Sequence, residues 1–181
     1  MRVIGVLVSG EGSNLQAILD EQLPVAAVAS SRRDVRALER ARAAGVPAAA
    51  FELGDYASRP ERDLAMADWL EEHGVTLVAC AGYMHLLTLP FLARFPQSVV
   101  NVHPALLPAF PGRTPIEDAL AAGAAETGVT VHYVDEGVDS GPVIAQEAVA
   151  IEPGEDADSL RARLHAVEHR LYPRVLRDLV A

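Results

Sequence analysis

A chain of 181 residues, half of them apolar, is long enough to bury one hydrophobic core and short for more than one domain. Its formal net charge of −10 argues against a nucleic-acid backbone as main partner but leaves room for a small anionic ligand held by local donors. No apolar run approaches the roughly 20 residues of a membrane span. The single cysteine excludes an internal disulfide, and the absence of lysine excludes Schiff-base chemistry.

In chain order, the β-branched run Arg2–Ser9 predicts a buried strand. It is not read as an export signal, because it lacks a small-x-small cleavage site and runs straight into Gly10-Glu11-Gly12. A short helix is expected over Asn14–Glu21 with Ser13 as its cap, then a strand over Val25–Ser30. Asp34–Ala44 predicts a helix stopped by Gly45, Ala48–Phe51 a short strand, and Pro60–His73 a helix ended by Gly74. His73 then sits at a helix end, where the dipole favours it. Thr76–Ala81 is a fourth strand holding Cys80, expected as a small core residue, which points to a cytoplasmic location. Leu89–Phe95 is a short helix and Ser98–Val102 a fifth strand. The later segments Gly128–Val134 and Val143–Ile151 look like an antiparallel extension. Asp158–Leu179 predicts a long terminal helix with Asp158 as candidate cap. The alternation implies an α/β fold: a doubly wound, mostly parallel sheet with right-handed crossovers, an antiparallel C-terminal extension and a terminal helix, with residues 1–181 forming one domain.

Three motifs carry chemistry. Ser9-Gly10-Glu11-Gly12-Ser13-Asn14 follows the first strand and opens a helix, where free N–H groups and a positive dipole end suit phosphate. A dinucleotide fingerprint fits poorly, because Leu15 stands at the third glycine position and the second strand ends in Ser30-Ser31 without an acidic residue. A phosphate loop that needs lysine is ruled out, so a mononucleotide or sugar phosphate is the better match. The second motif is Asn101-Val102-His103-Pro104 at the end of the fifth strand. Strand alternation puts Asn101 and His103 on one side, an amide donor beside an imidazole, which suits acyl transfer. The plain alternative is a core histidine with a structural asparagine at a strand end, since N-x-H alone is weak. Asn14 and Asn101 are the only asparagines of the chain. The third motif is the acidic, glycine-rich loop Val134–Pro142, in which Asp139 is the best carboxylate to orient a histidine and favour its charged form. Three acids in a solvated hairpin loop is the plain alternative. His132 reads equally as a supporting group or a structural one. His165 and His169, one helical turn apart, lack a zinc signature, so no metal is expected.

Taken in order, SGEGSNLQAI, ERARAAGVP, AGYMHLL, NVHPALLPAFPG, GVTVHYVDEGVDSGPVI and VEHRLYP resemble the phosphoribosylglycinamide formyltransferases, a folate-dependent family of purine synthesis, over nearly the whole chain. The resemblance implies transfer of a formyl group from the cosubstrate 10-formyltetrahydrofolate to the amine of glycinamide ribonucleotide. It implies that Asn101 and His103 stabilise a tetrahedral intermediate, with His103 as proton donor and Asp139 supporting its charge. Gly12, Ser13, Asn14 and Glu168 would bind the ribonucleotide. Arg59, Met84, His85, Leu86 and Leu87, with Asn101 and the loop Asp135, Glu136, Gly137, Val138 and Asp139, would bind the folate. Ala105 stands where the family usually has serine, and His85 where arginine or lysine is common. The chain is too short for the extra domain of the related hydrolases or transfer-RNA formylases, and it ends earlier than many relatives. The alternatives are a formyltetrahydrofolate hydrolase, an amino-sugar formyltransferase and a non-catalytic phosphate-ligand domain. The expected partners are small molecules, with neither nucleic acid nor membrane, and a homodimer is the assembly to test.

Overall fold

A computed structural model describes residues 1–181. The strands are β1 (Ile4–Val8), β2 (Val25–Ser30), β3 (Ala48–Ala50), β4 (Leu77–Cys80), β5 (Val99–His103), β6 (Glu126–Tyr133) and β7 (Val143–Ala150). The helices are α1 (Ser13–Asp20), α2 (Arg36–Ala43), α3 (Arg59–Glu72), α4 (Leu89–Arg94), α5 (Pro115–Ala121) and α6 (Ala157–Val180). The strands form one sheet in the order β3-β2-β1-β4-β5-β6-β7. Pairings from β3 to β5 are parallel, and β6 and β7 add antiparallel, so the doubly wound sheet with its antiparallel extension stands as expected.

Strand alternation builds two cores. On one face Ile4, Val6 and Val8 meet Leu15 and Ile18 of α1, Leu38 of α2, and Leu160, Leu164 and Leu171 of α6. On the other, Leu7, Ala27 and Ala29 meet Met66 and Leu70 of α3 and Phe91 and Phe95 near α4. Continuous apolar strands follow from burial on both faces. No helix is long and apolar enough to cross a membrane.

The structure corrects three local expectations. Gly12, not Ser13, caps α1; it adopts φ +76°, and no side chain bonds the first turn. Asp156, not Asp158, caps α6, accepting from the Ser159 N–H at 2.8 Å. The helix α5 is additional, started by Pro115, whose fixed φ suits a first helical position.

Helix α6 is locked to the middle of the sheet by Tyr172. This fully buried side chain donates its hydroxyl to the Cys80 carbonyl at 3.0 Å, with the Val100 carbonyl 3.2 Å away. Those carbonyls belong to β4 and β5, just before the segments that form the site. Tyr172→Phe should therefore lower unfolding free energy by about 1–2 kcal/mol, the cost of leaving buried carbonyls with one donor fewer. Urea titration should show a lower midpoint at unchanged slope.

Candidate active site

In the sheet order, the chain winds outward one way from β1 and the other way from β4, so the sheet's switch point lies between those neighbours. Ligands of open α/β sheets bind beyond the carboxyl ends there. Three segments leave those ends side by side: residues 9–14 after β1, 81–88 after β4, and 104–114 after β5. Ser9 Oγ accepts from the Met84 N–H at 3.0 Å and lies 2.7 Å from Ser31 Oγ, tying the first two segments together.

The glycine loop is braced from behind. The Ala37 N–H donates to the Gly10 carbonyl, and Arg40 donates to the carbonyl and carboxylate of Glu11. A Cβ on Gly12 would lie 2.7 Å from Ala37 Cβ, so close approach as well as positive φ demands glycine. The first-turn N–H groups of α1 are left without intrahelical partners. Asn14 reaches across to α6 and donates to Glu168 Oε2 at 2.8 Å, while its own Oδ1 is buried without a partner. Burial pushes the Glu168 carboxyl up to about 7, although the Asn14 bond opposes this.

Asn101 and His103 lie on β5 and line one cavity with Asp139. His103 Nδ1 is 3.5 Å from Asp139 Oδ2, and the Gly112 N–H donates to that same oxygen at 2.9 Å. His103 Nε2 lies 2.8 Å from the Phe110 carbonyl. A carbonyl only accepts, so Nε2 carries a proton and Nδ1 is left aimed at the carboxylate. Register then brings in His132, which pairs with Asn101 across the antiparallel β5–β6 ladder. Its Nδ1 donates to the Tyr133 carbonyl at 2.9 Å. Its Nε2 faces Asn101 Nδ2 at 3.3 Å and Asp139 Oδ1 at 3.6 Å. Asn101 and Asp139 therefore share His132 Nε2, which without a proton accepts one Asn101 N–H and with one donates to Asp139; in either case Asn101 keeps an N–H for the cavity. Burial alone would raise the Asp139 carboxyl, but His132, the Gly112 N–H and His103 together hold it below the usual range.

Two of the chain's four non-glycine residues with positive φ lie in the loops that meet here. Phe110 (φ +52°) and Asp139 (φ +51°) both sit in the left-handed region. The acidic loop folds back through Gly141, where a Cβ would fall 1.8 Å from the Tyr133 carbonyl oxygen.

A cavity of about 450 Å³ is lined by Asn101, His103 and Asp139 together with Met84, His85 and Val138. A smaller adjoining recess of about 90 Å³ shares Asn101, His85 and Asp139 and adds Leu87, Glu136 and His132. Leu86 lines both, and Asp135 and Gly137 line the recess. Arg59 lines neither, yet its charge reaches His85. Burial lowers the His85 pKa, and the guanidiniums of Arg62, Arg59 and Arg113 act the same way. Gly12, Ser13, Asn14 and Glu168 do not line these cavities. Sequence reasoning left the role of His132 open and missed Arg113. An arginine in the glycine- and proline-rich run after Pro111 was the available signal. Cys80 is buried, with its thiol pushed up to about 12 by burial, so it is no nucleophile. His165 and His169 stack at 6.0 Å.

A family profile described as formyl transferase matches residues 1–176. The phosphoribosylglycinamide formyltransferase of Bacillus subtilis is 37% identical, over 99% of this chain and 95% of that protein. The trifunctional purine biosynthetic protein adenosine-3 of Drosophila melanogaster is 43% identical over 98% of this chain, which spans only 14% of that longer protein. The solved structure of glycinamide ribonucleotide transformylase 1 from Geobacillus kaustophilus superposes with a TM-score of 0.96 at 45% identity, covering 100% of both chains.

The Glu168 carboxyl provides a stability test. An ordinary glutamate titrates near 4.5 and folded Glu168 near 7, so the folded state holds the extra proton between those values. Its contribution is full below about pH 4.5 and is lost as pH rises through about 7. Glu168→Gln keeps an acceptor for Asn14 and should remove that slope. Across this window the wild type should lose up to roughly 3 kcal/mol relative to the variant in urea unfolding.

Proposed function

The chain belongs to the formyl transferase family, and from that premise we propose that it transfers the formyl group of 10-formyltetrahydrofolate to the amine of glycinamide ribonucleotide, a cytoplasmic step of purine synthesis. Residues 1–181 act as one formyltransferase domain. The observation that carries this reading is the convergence of Asn101, His103 and Asp139 on one cavity wall at the carboxyl end of β5.

The ribonucleotide phosphate takes the N–H groups of Gly12, Ser13 and Asn14, and its ribose or amine end meets Glu168. The folate lies along Met84–Leu87, its ring held by the loop from Asp135 to Asp139 and its tail near Arg59. The uncharged amine attacks the formyl carbon, forming the new C–N bond and pushing the carbonyl electrons onto oxygen. The free N–H of Asn101 donates to that oxyanion. Protonated His103 does so through Nδ1–H, which at 3.5 Å from Asp139 is not committed to a short bond with it. Collapse breaks the bond from carbon to the folate nitrogen. That nitrogen gains a proton from His103, while the attacking nitrogen loses one, with Asp139 completing the relay. Neither a covalent enzyme intermediate nor a metal is invoked.

The test is a formyl-transfer assay with glycinamide ribonucleotide and 10-formyltetrahydrofolate. Formate release without an amine acceptor would replace this reading with a hydrolase. His103→Ala should lower kcat by roughly a thousandfold in a folded protein, and near-normal turnover would overturn the assignment. Asn14→Ala should mainly raise KM for the ribonucleotide, so an unchanged KM removes the phosphate-loop assignment.

A further inference from the structure

Resting on the folate reading of the cavity, we propose that Asp63, acting through Thr88, is a positioning residue that sets where Met84–Leu87 stand against the formyl donor. Segment 83–87 makes no backbone–backbone hydrogen bond to any other part of the chain. It is held by a polar anchor at each end. At the start, Ser9 Oγ accepts from the Met84 N–H at 3.0 Å. At the far end, Asp63 Oδ2 accepts from both the Thr88 N–H at 2.9 Å and its hydroxyl at 2.8 Å. Between these anchors Leu87 is buried, whereas Met84 and Leu86 are more than half exposed. Packing alone therefore fixes little of this wall.

Asp63 is itself fixed from beneath. Its other oxygen accepts from Arg62 Nε at 2.7 Å, and both side chains are 0% exposed. The Arg62 guanidinium lies 5.9 Å from the centre of the Tyr83 ring, and its Nη1 and Nη2 have no hydrogen-bond partner. A buried ion pair satisfied this incompletely is a poor way to stabilise a helix, since apolar residues of similar volume serve as well or better. What the pair supplies is a fully buried carboxylate at one place, with two directional bonds to the end of the folate-side segment. Met84, His85 and Leu86, which line the large cavity, are strung between that point and the Ser9 anchor.

The experiment compares Thr88→Val, Thr88→Ser and Asp63→Asn with the wild type. Steady-state kinetics are measured with both substrates, and equilibrium binding with 10-formyltetrahydrofolate alone. Thr88→Val and Asp63→Asn should raise KM and Kd for 10-formyltetrahydrofolate about tenfold, the loss of one charge-assisted bond. The kcat and the KM for glycinamide ribonucleotide should stay within about twofold, and Thr88→Ser should restore wild-type values. An unchanged folate Kd in folded Thr88→Val overturns the proposal, as does a parallel rise of both KM values with a fall in kcat. If Asp63→Asn does not fold, the two Thr88 variants decide. A wild type that binds the folate but transfers no formyl group sinks the proposed function while the binding series still judges the anchor. A wild type that does not bind the folate overturns both.

Discussion

The carboxylate of Asp139 is shared by groups from three separate stretches of the chain. His103 approaches from β5, His132 from β6, and the Gly112 N–H from the loop between them. Burial disfavours its charge, and these three neighbours more than offset that penalty. The two imidazoles are oriented by the same economy. Each gives one N–H to a backbone carbonyl, of Phe110 or Tyr133, and turns its other nitrogen toward the acid. Neutralising Asp139 would weaken its hold on both rings and on the Gly112 loop at once.

That convergence depends on the change of strand direction in the sheet. A parallel strand beside β5 would need a long crossover, whereas the antiparallel ladder sets His132 directly opposite Asn101. The β6–β7 connection then folds back over the carboxyl end of β5 carrying Asp139. The parallel half contributes differently: β1 and β4 end side by side and deliver the glycine loop and segment 83–88 to the same edge. Rigid strands carry Asn101 and His103, while the contacts proposed for the two substrates sit largely on loops braced by α2, α3 and α6.

Local pattern made much of this legible. Two-residue alternation placed Asn101 and His103 together, and glycine after a strand marked the loop at Gly12. Asp139 stood out as an acid beside a tight turn. His132 was ambiguous because its partner is set by cross-strand register, which sequence does not specify without the intervening loop. Arg62 drew no attention because an arginine in a polar helix start normally faces solvent, and only tertiary packing buries it. The caps of α1 and α6 slipped by one or two residues because Ser13 and Asp158 have neighbours, Gly12 and Asp156, equally able to begin a helix. Helix α5 was missed because seven residues carry too little periodicity to register.

The chain's cations are all arginines apart from its histidines and N-terminus, and every ion pair other than the two histidine contacts to Asp139 is a guanidinium contact. A guanidinium stays protonated and is no nucleophile at neutral pH, unlike the ammonium of lysine, a fraction of which is always free amine. A protein proposed to handle an activated formyl donor thus exposes no side-chain amine to it. Self-acylation, the side reaction that any such donor invites, has no lysine to act on, and the acceptor amine meets no competitor from the walls that surround it.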